Sequence, residues 1–92
     1  MILKDFLETK MGIGEGGFIK VCYDIGEEVS HEPVADVPLF IVGTDLSKIQ
    51  FEDVKQNNDL LKLLDVLERK IENIDFVNVV HGIGMYIFIS RQ

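Results

Sequence analysis

Gly12, Gly14 and Gly17 spell the letters of the G-x-G-x-x-G phosphate fingerprint. In that motif a strand leads into the glycines and a helix opens after them, so that phosphate meets free N–H groups at the helix N-terminus. Here the order is inverted. The pattern before the glycines is helical and the pattern after them is extended, so the run reads as a helix stop and a strand lead-in. His81-Gly82-Ile83-Gly84 reads as a hairpin turn rather than a phosphate loop. Glu27, Glu28, His31 and Glu32 are metal-ligand types, and Glu28 and His31 stand three apart, a spacing that works on a helix. Val29, Ser30 and Pro33 oppose a helix there, and a second His is lacking locally, with His81 distant in sequence. Cys22, the single cysteine, lies in the strand-like run FIKVCYD, where no local pattern supplies a partner to lower its pKa. It is expected to be a small buried apolar side chain in a reducing compartment. No Ser-His-Asp or Cys-His order has a supporting local motif. The residues therefore predict no catalytic centre, no metal site and no cofactor. A small metal- or nucleotide-dependent enzyme using the glycine loops or His31 stays as the alternative from another class.

The elements that position these residues follow from periodicity. Ile2, Leu3, Phe6 and Leu7 share one face of a short helix over 2–10, too short to stand without docking. Residues 18–25 predict a strand with Ile19, Val21, Tyr23 and Ile25 as its better core face. Gly26, Pro33 and Pro38 make 26–38 a loop, and Leu39–Val42 predicts the second strand, closed by Gly43. Asp45 or Thr44 caps a short helical turn, and Phe51 and Val54 pin that stretch to the body. The strongest helix spans 59–70, with Leu60, Leu61, Leu64, Leu67 and Ile71 as its apolar stripe. Residues 73–80 and 85–90 predict a hairpin. Its last strand is apolar on both faces, Met85, Ile87 and Ile89 on one and Tyr86 and Phe88 on the other. Such a strand is central with cover on both sides, or one face meets a second copy. Tyr86 and Phe88 are thus a candidate dimer face.

Charge is distributed unevenly. The 92 residues carry a net charge of −7, and Val21–Ser47 holds Asp24, Glu27, Glu28, Glu32, Asp36 and Asp45 with no Lys or Arg. Such a segment repels phosphate, which argues against direct nucleic-acid binding, and attracts a basic surface or a cation. With 47% hydrophobic and 27% charged residues the chain is of ordinary globular composition and is expected to form one domain, 1–92. No signal peptide and no apolar run long enough for a membrane span is visible, so a cytoplasmic location is expected.

The stretches LKDFLET, FIKVCYD, LLDVLERKIENIDF and GMYIFI, in that order, resemble short uncharacterised proteins of phages and mobile elements of Gram-positive bacteria. The resemblance touches about half the chain, which departs from it in the acidic 26–38 connection and in 44–58. It implies no activity. It does imply a place in phage–host conflict, where a small acidic protein blocks a nucleic-acid-binding enzyme by occupying its basic groove. Together these readings predict an α+β domain of order α-β-β-α-β-β, with a mostly antiparallel four-stranded sheet and two main helices. Its expected role is a non-enzymatic protein-interaction module. Asp24, Glu27, Glu28, Glu32 and Asp36 would form an acidic rim for a basic protein partner. A phage-derived inhibitor mimicking nucleic acid is the narrower alternative.

Overall fold

The computed structural model describes residues 1–24 and 32–91, without the side chains of Phe51 and Asp53. The elements are α1 (Leu3–Leu7), β1 (Phe18–Tyr23), β2 (Glu32–Asp36), α2 (Phe51–Val54), α3 (Asn58–Asp65), β3 (Ile71–Val79) and β4 (Gly82–Ile89). Tight 3-10 turns occupy Leu39–Ile41 and Leu46–Lys48. The class is α+β, as the periodicities predict. The four-stranded sheet runs β2-β1-β4-β3 and is mixed. Its outer pairs, β1–β2 and β3–β4, are antiparallel, and the central pair β1–β4 is parallel.

β4 is central, as its two apolar parities predict, although only one of its faces is covered by helices. Met85, Ile87 and Ile89 are buried against Leu3, Leu7, Leu60 and Leu63, together with Ile19 and Val21 of β1. Tyr86 and Phe88 project from the opposite face and are half-buried. α3 starts where the Asn57 side chain accepts a hydrogen bond from the Leu60 N–H at 3.0 Å. It ends earlier than its apolar stripe, because 67–71 turn back to bond with the N-terminus. Leu3 and Lys4 donate to the carbonyls of Arg69 and Leu67, and Ile71 donates to that of Met1.

The second strand differs from its sequence prediction. It is Glu32–Asp36, while Leu39–Ile41 forms a 3-10 turn between Pro38 and Gly43. That turn buries Ile41 and leaves Phe40 exposed. Pro33 is tolerated in β2 because β2 is an edge strand, where a missing N–H costs no ladder bond. The register shifts between Val21 and Cys22 of β1, where β2 carries the extra residue, Val34. The hairpin turn also differs. β4 begins at Gly82, so the turn is Val80-His81, with His81 at φ 65°.

The glycines serve backbone-to-backbone approach. The loop after α1 lies against that hairpin: the Ile83 N–H donates to the Ile13 carbonyl at 2.8 Å, and the Gly16 N–H to the His81 carbonyl at 3.2 Å. A Cβ on Gly16 would strike the Val80 carbonyl oxygen, and one on Gly14, which sits at φ +79°, the His81 carbonyl oxygen. Gly12 has open space around it. Gly16→Ala is therefore expected to lower the unfolding free energy by about 2 kcal/mol or more. Gly12→Ala is expected to change it by no more than about 0.5 kcal/mol. Urea titration of both variants checks this, and equal effects would contradict the close approach of the loop to the hairpin.

Candidate functional site

Asp24, Glu32 and Asp36 lie along one edge of the sheet because β1 and β2 are neighbours. Asp24 follows the last residue of β1, and its N–H donates to the Ile89 carbonyl at 2.8 Å, fixing the strand end. The ladder sets Tyr23 opposite Glu32 and Lys20 opposite Asp36. All three carboxylates are exposed. Glu27 and Glu28 of the predicted rim lie outside the described residues, as does His31.

α3 packs beside β2 and extends this side of the molecule. Asp59, Lys62 and Asp65 recur at helical spacing on its exposed face. A shallow depression of about 440 Å³ between strand and helix is lined by Lys20, Cys22, Asp36, Asp59, Lys62 and Tyr86, among others. A smaller one of about 240 Å³ continues it past Tyr23, Pro33 and Asp65. Two of the rim acids are paired within the chain. Glu32 bonds the Arg91 guanidinium, which also lies 5.3 Å from the Tyr23 ring centroid. Asp36 faces Lys20 at 3.9 Å. Both pairs are about half exposed, so each contributes at most about 1 kcal/mol and exchanges readily for another partner. Carboxylates still outnumber cations along this side. Asp59 and Asp65 are the members that the sequence reading missed, although their i, i+6 spacing with Lys62 between them carried the signal.

The open face of the sheet is aromatic. The Phe18 ring meets Tyr86 edge-on, with centroids 5.4 Å apart and an interplanar angle of 78°. The Lys20 ammonium stands 5.8 Å from the Phe18 centroid. Phe88 lies opposite Cys22 in the ladder. Tyr86 and Phe88 thus sit among neighbours rather than as a bare patch. The strongly exposed apolar side chains along the sheet are instead Phe76, Val77, Val80 and Ile83 of the β3–β4 hairpin.

Among the described residues no group of three or more His, Cys, Asp or Glu converges on a common point where a metal ion would fit. No helix among them is long and apolar enough to cross a membrane. No family model, no curated protein and no solved structure matches this chain.

Cys22 is 2% exposed, and burial pushes its thiol above the ordinary range, against the opposing pull of Lys20. A raised folded-state pKa leaves stability unaffected at neutral pH and erodes it as pH climbs through and beyond the thiol range. At mildly alkaline pH, iodoacetamide is expected to modify Cys22 at least about tenfold more slowly in the folded protein than in urea. Mass spectrometry of a labelling time course measures this, and equal rates would show the thiol to be open.

Proposed function

We propose that this chain is a non-enzymatic protein-interaction module that meets a basic protein surface along the side formed by β2 and α3. The observation that carries the reading is that α3 packs on β2, which sets Asp59 and Asp65 beside the edge that carries Asp24, Glu32 and Asp36. Glu27 and Glu28 lie between β1 and β2 in the sequence and carry charge of the same sign. A field of this sign speeds encounter with a cationic partner more than it sets final affinity. It also disfavours phosphate backbones. The exposed Lys20–Asp36 and Arg91–Glu32 pairs hold the carboxylates in place at little cost to their availability.

The test compares two variants of equal net charge. One is Asp24→Asn, Glu32→Gln, Asp36→Asn; the other neutralises Glu15, Asp45 and Glu52, which are exposed elsewhere. Stopped-flow association with a fluorescent Lys/Arg-rich peptide is expected to slow by roughly tenfold at low salt for the first variant and much less for the second. The salt dependence is expected to flatten only in the first. Equal slowing would reduce the effect to net charge and overturn the rim.

A further inference from the structure

β3 is one of the two edge strands, and among the described residues no strand pairs with its outer edge over a defined span. At one end Met1 and Ile2 already occupy it: the Ile71 N–H bonds the Met1 carbonyl, and Ile2 bridges Lys70 antiparallel. At the other end the strand enters the Val80-His81 turn. Between them, no strand among the described residues pairs with Asn73–Val79 on that side. The middle of the span is Phe76, 62% exposed.

The direction of the backbone groups along the edge follows from the ladder. Ile83 sends its N–H away from β3, to Ile13, so the facing pair Asn78–Ile83 exchanges no bonds. By alternation Ile74, Phe76 and Asn78 aim their N–H and C=O groups outward. We propose that a second copy of this chain pairs there, β3 against β3 antiparallel, about a two-fold axis through Phe76 normal to the sheet.

The edge is self-complementary in this register. Phe76 faces Phe76 of the other copy, and Ile74 faces Asn78 in both directions, so the outward groups make about six hydrogen bonds. Facing side chains keep to one side of the joined sheet. The phenyl rings meet on the helix-covered side, and Asp75 faces Val77 on the other. Sliding the axis to Asp75 would set like charges directly opposite each other. Sliding it to Val77 would leave Ile74 facing the turn. The same two-fold brings Val80 of each copy, 77% exposed, to Met1 of the other, 72% exposed. One operation thus covers the most exposed apolar side chains of this edge.

Both copies carry charge of the same sign, so added salt should tighten this contact. It should loosen a contact between the acidic side and a basic partner, which keeps the two proposals separable. Sedimentation equilibrium of the full chain is expected to give twice the chain mass, with a dissociation constant that falls as salt rises. Phe76→Lys, checked for fold by circular dichroism, is expected to raise that constant by roughly tenfold or more. Phe76→Cys supports the register without depending on that variant's folding, because facing Cα atoms about 5.5 Å apart suit a disulfide. Mild oxidation should link the introduced thiols across the axis, and Cys introduced at exposed Glu52 should not link. A monomer at every accessible concentration would overturn the proposal. So would a dimer that ignores Phe76→Lys and fails to cross-link through Phe76→Cys, the result expected if the Tyr86 and Phe88 face were the contact.

Discussion

Strand β4 must have a hydrogen-bonding neighbour on each side, and the rest of the structure follows from meeting that demand. Its side chains are apolar on both faces, so its backbone polar groups have no water to turn to and must be paired by protein. β3 supplies one side through a two-residue turn. β1 supplies the other in parallel, and a parallel neighbour cannot be reached by a tight turn. Everything between β1 and β4 in the chain is therefore available as a crossover. β2, the two 3-10 turns, α2 and α3 lie in it ahead of β3, and α3 with α1 covers Met85, Ile87 and Ile89. The glycine loop completes the join by delivering the Ile13 carbonyl to Ile83 just where β1 has not yet begun.

The two edges of the resulting sheet have opposite chemistry. β2 carries a proline, a charged residue at each end and ion pairs to Lys20 and Arg91, the devices that keep an edge strand from pairing with another chain. β3 has Glu72 and Asp75 but also Phe76, Val77 and the exposed Val80, and among the described residues no strand pairs with its outward groups over Asn73–Val79. An acidic side that repels copies of itself and an apolar edge that fits a copy of itself are compatible on one small sheet, because they lie at opposite ends of the strand order.

The local elements were legible in the sequence and the long-range ones were not. The period of the Leu-rich run gave α3, and the alternation read over 18–25 gave β1, which spans Phe18–Tyr23 among the described residues. The double apolar parity of 85–89 placed β4 at the centre. The run Leu39–Val42 has the composition of a strand, but Pro38 and Gly43 leave it only one turn of chain, and β1 took the less apolar Glu32–Asp36 as partner instead. That choice is made by the geometry of the sheet edge, which tolerates Pro33, and not by propensity. The glycines read correctly as a break, yet their contact with Val80 and His81 depends on a fold that brings residues more than sixty apart in sequence together. Of the acidic side, Asp24, Glu32 and Asp36 were visible as a run. Asp59 and Asp65 join them only because α3 lies on β2.

Amide hydrogen exchange along β4, read residue by residue by NMR, tests the parallel pairing most directly. If β1 and β3 both bond β4, the amides of Met85, Ile87 and Ile89 are as slow as those of Gly84, Tyr86 and Phe88, and all of them open only with global unfolding. Fast exchange at Met85, Ile87 and Ile89 with slow exchange at the alternate positions would mean that β4 has only β3 beside it, and the account would fail.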